Sequence, residues 1–241
     1  MKPFLLLVCR PPGVIADLEW GEIHELGGLE RGELVACRLE APGPLPDLDD
    51  YAGVLITGSP YSLMADASAK TPVQIVLEQK LGTVCDEILE RDIPTLGLCY
   101  GLQALTLRAG GSLTHEYPER ISAPWITLTE AGLADPLLAR AGQRFRAYSG
   151  HAEAVGRVPE SMTVLARSEL VPVQMARFGA HVYGTQFHPE ITRRGSEVRI
   201  GIYGGTYFDP AEHDEVLAEC QDAYTDDTIL RTFIDRYRSR S

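Results

Sequence analysis

The chain has 241 residues, 44 % of them hydrophobic, and sets 22 Lys and Arg against 34 Asp and Glu for a formal net charge of −12. That length can bury a substantial core, and an acidic surface would be repelled by nucleic acid or by an anionic membrane, so neither is expected as a partner. No apolar run approaches the roughly 20 residues needed to span a bilayer; the run from Phe4 to Cys9 is too short for a signal-peptide core and leads straight into Arg10-Pro11-Pro12, so the expected compartment is the cytoplasm.

Apolar bursts alternate with helix-like segments, as a parallel sheet with crossover helices requires. The first strand is expected over Phe4 to Cys9 and the second over Leu34 to Leu39. The third runs from Gly53 to Thr57 and leads into Gly58-Ser59-Pro60. From Thr71 a long helix is expected, with Pro72 in its first turn and Val73, Leu77, Leu81, Val84 and Ile88 recurring on one face. Thr95 to Leu98 reads as a further strand. Leu102 to Arg108 is the helix behind it, ended by Gly110-Gly111. Between Ser112 and Val182 lie shorter β-like pieces, Trp125 to Leu128, Thr163 to Ala166 and Val173 to Phe178, expected as an antiparallel region at the sheet edge. Tyr148 to Glu153 reads as a small-residue loop carrying a histidine and a carboxylate.

Two helices are expected to close the chain. One starts at Asp209-Pro210, where Glu212, Asp214 and Glu215 suit the positive end of the helix dipole. The other carries the stripe Ile229, Phe233 and Tyr237, with Arg236, Arg238 and Arg240 at its C-terminal end. There is no internal repeat, low-complexity segment or linker. The expectation is therefore one α/β domain over residues 1–241, with a core at 1–194 and a helical extension at 195–241.

The chemistry concentrates at Gly97-Leu98-Cys99-Tyr100-Gly101. A strand that runs into Gly-x-Cys-x-Gly and then a helix is the cysteine form of the nucleophile elbow, in which a Cβ at either glycine would crowd the turn. At a helix N-terminus, partial positive charge and free N–H groups favour thiolate over thiol. Cys99 is thus a candidate nucleophile; a cysteine buried between strand and helix is the alternative on position alone. Far downstream, Gly184-Thr185-Gln186-Phe187-His188-Pro189-Glu190 supplies a base and a carboxylate. In extended backbone His188 and Glu190 point to the same side, so the carboxylate can fix the imidazole tautomer. Backbone donors for an oxyanion are available at Tyr100 and, near the end of the third strand, at Gly58 or Ser59. Gln103, one turn beyond Cys99, stays near the site. Cys9, Cys37 and Cys85 read as buried small hydrophobes. The five cysteines lack disulfide or zinc spacing, so no metal and no cofactor is expected. Together these residues read as a thiol-dependent hydrolase.

Pro94 to Gln103 resembles the Pro-x-x-Gly-x-Cys-x-Gly-x-Gln signature of class I, triad-type glutamine amidotransferases, and Gly184 to Glu190 resembles their Gly-x-Gln-Phe-His-Pro-Glu block. The resemblance runs from Phe4 to about Glu190. Within the family, Gly58-Ser59-Pro60 and Ser149-Gly150-His151-Ala152-Glu153 look most like the GMP-synthetase-like branch, which includes stand-alone γ-glutamyl hydrolases. The resemblance implies a three-layer, flavodoxin-like sandwich with a central, mostly parallel sheet and a small antiparallel edge. It also implies hydrolysis of the glutamine side-chain amide through a γ-glutamyl thioester, releasing glutamate and ammonia. By carry-over Cys99 is nucleophile, His188 acid and base, and Glu190 its orienting partner. Gly58 or Ser59 with Tyr100 would form the oxyanion hole, Gln103 would help hold the substrate, and the segment Gly150, His151, Ala152 would meet its amino-acid end.

The sequence departs from the family in having Gly58-Ser59 where two glycines are common, and Gly150-His151-Ala152-Glu153 where Ser-His-Gly-Asp is frequent. It has no Ser-Gly-Gly-x-Asp-Ser pyrophosphatase loop and no Walker motif, so a separate ATP-dependent synthetase subunit is the implied partner. Gly195 to Tyr224 reads as an acidic helical cap or interface, with ordinary surface packing as the alternative. Three functions remain open. They are a glutaminase subunit that hands on ammonia, a self-sufficient γ-glutamyl peptidase or hydrolase, and a catalytically idle regulator on the same fold.

Overall fold

The strand β1 (Phe4–Val8) is buried along its whole length. Phe4, Leu6 and Val8 feed one core, Leu5 and Leu7 another. A strand that is apolar on both faces has to be covered on both, which places it in a middle layer. The computed structural model describes residues 2–221, 223 and 228–238. In it, β1 is followed by α1 (Val14–Gly27), β2 (Leu34–Arg38), β3 (Gly53–Ile56), α2 (Pro72–Arg91), β4 (Thr95–Leu98) and α3 (Tyr100–Arg108). Next come β5 (Leu113–Thr114), β6 (Glu119–Ser122), β7 (Trp125–Leu128), α4 (Glu130–Ala134), β8 (Arg144–Arg146), β9 (Ser149–His151) and β10 (Ala154–Val155). The chain continues through β11 (Met162–Arg167), β12 (Met175–Phe178), β13 (Val182–Thr185), α5 (Arg193–Tyr207), α6 (His213–Gln221) and α7 (Thr228–Arg238).

Strands β2-β1-β3-β4-β13 lie side by side and parallel, and β12, β11, β7 and β8 extend the same sheet antiparallel to nine strands. The order 2-1-3-4 with a last parallel strand is that of the flavodoxin-like fold. Ile23 of α1 and Ile229, Phe233 and Tyr237 of α7 close one face; Leu77, Leu81 and Ile88 of α2 with Leu102 and Leu105 of α3 close the other. The three-layer expectation holds, and so does the antiparallel region expected from the middle of the chain. Two further two-stranded ladders, β5 with β10 and β6 with β9, stand beside the main sheet. Among the described residues no helix is long and apolar enough to cross a membrane.

Several local expectations are corrected. The face of α2 begins at Leu77, because Val73 is 48 % exposed in the first turn. Cys37 sits on the edge strand β2 and is only half-buried, unlike Cys9 and Cys85. Tyr148 to Glu153 is not a plain loop: Ser149–His151 is a strand paired with β6. Helix α1 was not foreseen, since its buried face alternates Ile15 and Ile23 with Glu19 and Glu22 and so breaks the apolar stripe. Helix α5 opens the helical extension expected from residue 195, although Gly195, Gly201, Gly204 and Gly205 give it poor helix propensity; its start at Arg193 and its separation from the helix at Asp209 were not foreseen. Three helices therefore follow β13 rather than two. The start at Asp209 is a capping box, with Asp209 and Glu212 each bonding the other's backbone. Arg240 and Tyr224 lie outside the described residues.

Candidate active site

Strand β4 delivers the chain to Cys99, whose φ of 48° and ψ of −92° mark a sharp turn before α3 begins at Tyr100. A side-chain-bearing residue at positive φ is strained and persists only where its surroundings enforce it. Here the glycines let the chain close up. A Cβ on Gly97 would stand 2.7 Å from the carbonyl carbon of Gly101, and one on Gly101 would stand 3.0 Å from Cβ of Ile56. The Cys99 N–H donates to the Thr185 carbonyl at 2.6 Å, tying the elbow to β13. At the helix N-terminus the first-turn N–H groups have no intrahelical acceptor and face the turn. Cys99 is 7 % exposed, and its Sγ accepts a hydrogen bond from Gln186 Nε2 at 3.3 Å.

Beyond β13, the His188 N–H donates to the Tyr148 carbonyl at 2.8 Å, which locks this extended segment against the residue before β9. His188 Nδ1 bonds Glu190 Oε1 at 2.5 Å, so with the Nδ1 proton on that bond Nε2 is the free ring nitrogen. Burial works against the imidazolium, but the Glu190 carboxylate and a hydrogen bond to Cys99 outweigh it and push the His188 pKa up to about 10. Burial likewise works against the Glu190 carboxylate, yet the His188 charge and hydrogen bond, with Arg199, hold it below the usual range. A methyl group on Gly58 would lie 3.0 Å from His188 Cε1, 3.1 Å from Arg10 Nη2 and 3.9 Å from Cys99 Cβ. The expected triad and the expected oxyanion glycine therefore converge on one spot.

Cys99 and His188 open into a cavity of about 150 Å³ whose walls include Ser59, Gln103, Gly150, His151 and Ala152. Gly58, Tyr100 and Glu190 stand behind that surface. The Tyr100 hydroxyl turns away to donate to Glu78 Oε1 at 3.2 Å, so only its backbone N–H faces the elbow's chemistry. The Gln103 amide donates to the Glu153 carbonyl at 2.6 Å, and the Glu153 carboxylate is held by the Ser62 hydroxyl and the Leu63 N–H. His151 Nε2 donates to Glu119 Oε2 at 3.0 Å, which also accepts from Ser149 Oγ at 2.7 Å and Gln174 Nε2 at 2.9 Å. Although burial opposes its charge, Glu119 stays below the usual carboxylate range because of these donors. Ala152 offers its carbonyl to His115 Nδ1 at 3.3 Å.

The remaining wall was not foreseen. Arg10, after β1, and Ser196, Arg199, Tyr203 and Tyr207 of α5 also line the cavity. Each arginine is gripped by a glutamate of α1. Arg10 Nη2 donates to Glu19 Oε1 at 3.0 Å, and Arg199 Nη1 pairs with Glu22 Oε2 at 2.8 Å. Glu22 Oε1 further accepts from the Thr192 N–H at 2.7 Å and hydroxyl at 2.8 Å, which fixes the start of α5. The usable signal was the pair Glu19 and Glu22 at helical spacing, flanked by Ile15 and Ile23, which marks acids on an inward face. Gln186 lies inside the quoted downstream motif, and its contact with sulfur was also missed. Chemically the arrangement offers a thiol at a helix N-terminus, a proton carrier beside it and backbone donors around Gly58 and Tyr100.

The model of the family described as glutamine amidotransferase class-I matches residues 33–200. Over 118 residues, 47 % of this chain and 62 % of the other, the chain is 36 % identical to a subunit of the glutamine-hydrolyzing GMP synthase of Haloquadratum walsbyi. It is 31 % identical over 160 residues to γ-glutamyl peptidase 3 of Arabidopsis thaliana, covering 61 % of this chain and 57 % of that protein. The chain spans only 24–38 % of the length of several GMP synthases that it matches. A glutamine amidotransferase structure from Thermotoga maritima superposes with a TM-score of 0.75 at 18 % identity, covering 99 % of each chain. At that identity the likeness concerns the fold alone.

Proposed function

The chain belongs to the class-I glutamine amidotransferase family, and from that premise we propose that it hydrolyses the side-chain amide of glutamine through a γ-glutamyl thioester on Cys99. The observation that carries this reading is the convergence of Cys99, His188 and Gly58 on one point, with Glu190 bonded behind the imidazole. In the first half-reaction the Cys99 sulfur attacks the γ-carbonyl carbon. The oxyanion is received by backbone N–H groups of Tyr100 and of Gly58 or Ser59. The C–N bond then breaks, and His188 gives its Nε2 proton to the departing nitrogen, which leaves as ammonia. In the second, water attacks the thioester carbon and His188 takes up a water proton; the C–S bond breaks and glutamate departs. Gln103 and the segment Gly150, His151, Ala152 frame the substrate's amino-acid end, and no cofactor or metal enters the sequence of steps. Residues 1–241 form one amidotransferase domain in this reading, 1–194 as core and 195–241 as extension.

The names of the relatives that are single subunits of a GMP synthase support delivery of the ammonia to a separate ATP-dependent synthetase. A second reading, a self-sufficient γ-glutamyl peptidase, is favoured by the polar and aromatic wall of α5. That wall offers more surface than a departing ammonia would meet. Intact Cys99, His188 and Glu190 count against an idle regulator. The test is release of glutamate and ammonia from glutamine by the purified protein. Cys99→Ala should abolish it, and full activity in that variant would overturn the reading.

A further inference from the structure

Two polar clusters line the cavity, one around Glu153 and one beside His188. At the first, Gln103 donates to the Glu153 carbonyl and Ser62 to its carboxylate. At the other, Arg10 and Arg199 stand with Glu19 and Glu22 beside the His188–Glu190 pair, and Glu19 lies within the fields of Arg10, Glu190, Arg199 and His188. In a thioester mechanism His188 must meet the departing nitrogen, so the leaving group belongs beside the second cluster.

That part of the cavity is built beyond what ammonia needs. Arg199 is 7 % exposed and lines the cavity; Nη1 is taken by Glu22 and by the Gly195 carbonyl at 3.1 Å, while Nη2 is buried with no hydrogen-bond partner among the described residues. A buried guanidinium edge left without an acceptor is costly, and an incoming acceptor removes the cost. Ile191, Tyr203 and Tyr207 give the cavity an apolar, aromatic surface. Because Glu22 already balances the charge of Arg199, one further monoanion brings the local total to a single negative charge, whereas a dianion would have to be desolvated against Glu19, Glu22 and Glu190 as well.

We propose that this part of the cavity is a leaving-group subsite in which Arg199 Nη2 donates to the carboxylate of the departing amine, so that γ-glutamyl amino acids are better substrates than glutamine. The inference rests on the thioester reading above and deepens it by naming the substrate class. The γ-glutamyl C–N bond breaks as before. The proton from His188 goes to the α-nitrogen of the released amino acid, and water supplies the oxygen and protons that complete glutamate and restore His188.

The test compares kcat/KM of the purified protein for γ-glutamylalanine and for γ-glutamylalaninamide, which differ only by replacing the carboxylate with a neutral amide, and for glutamine. The expected result is a preference for γ-glutamylalanine over the alaninamide of about tenfold or more, the scale of one charge-assisted hydrogen bond. In Arg199→Met the ratio should collapse toward one whatever happens to the absolute rates. Arg199→Lys, which keeps a cation for Glu22 but loses the guanidinium fork, should reduce it partly. Equal rates on the two substrates by the unmodified protein would overturn the proposal without any variant. So would an unchanged ratio in a folded Arg199→Met, because a residue that merely positions Glu190 would slow all substrates alike. Failure of a γ-glutamyl diazoketone to label Cys99, together with no turnover of any of the three, would overturn the hydrolase reading itself. Labelling of Cys99 and glutamine turnover without the preference would overturn the subsite alone.

Discussion

The floor of the cavity and its α1–α5 wall are assembled by different physics. At the floor, geometry comes from backbone close approach. Gly97 and Gly101 allow the elbow, Gly184 packs where a Cβ would stand 2.7 Å from Leu102, and the Cys99 N–H ties to Thr185. At the wall, geometry comes from buried charge pairs, Arg10 with Glu19 and Arg199 with Glu22, that hold two helices in place. The floor fixes where a bond can break. The wall, in our proposal, fixes what is attached to the departing nitrogen. A shared fold can thus keep one reaction while changing its clientele.

The largest effect should come from the floor. His188→Ala removes the proton carrier and should lower kcat by about 10⁴-fold or more, measured as glutamate release, with the fold retained. The same side chain sets a pH signature. His188 is raised in the folded state, so its stabilisation is complete below its ordinary 6.5 and is lost as pH climbs toward about 10. Glu190 is depressed, so its share is present above its ordinary 4.5 and is lost as pH falls. The stability gap between the unmodified protein and His188→Gln should therefore be greatest between those ordinary values and shrink on the alkaline side. A gap that widens there contradicts the ion pair.

Next comes the wall. Glu22→Ala leaves Arg199 buried without its counter-ion and strips two donors of their acceptor, and it should cost about 3–5 kcal/mol in chemical denaturation. A neutral result would mean that the wall is not held by charge. Gly97→Ala should cost about 1–3 kcal/mol through overpacking against Gly101, less if β4 yields. At the small end, Val73→Ser should stay within about 0.5 kcal/mol, because that side chain is exposed.

The same division explains what the sequence revealed. Glycine spacing around Cys99 and the extended His188-Pro189-Glu190 segment are local signals, so the elbow, the triad candidates and the strands feeding them could be read directly. The apolar run of β1 likewise marked a central strand and the stripe Ile229, Phe233, Tyr237 a covering helix, while the three layers were what the family resemblance implied. The wall was hidden because its packing face carries glutamates. Glu19 and Glu22 look like solvent-facing acids until Arg10 and Arg199 arrive from elsewhere in the chain. Four glycines blurred α5 into an undivided helical extension, although Thr192 caps it and Glu22 anchors it. His151 lines the cavity, but its bond to Glu119 depends on β6 pairing with β9, a long-range register that no local pattern encodes.

The most direct test is mass spectrometry of the protein quenched in acid during turnover of a γ-glutamyl substrate. The account predicts a γ-glutamyl mass increment on the peptide that contains Cys99, absent in Cys99→Ala. Turnover that continues in Cys99→Ala, with no acyl adduct on Cys99 in the unmodified protein, would contradict it.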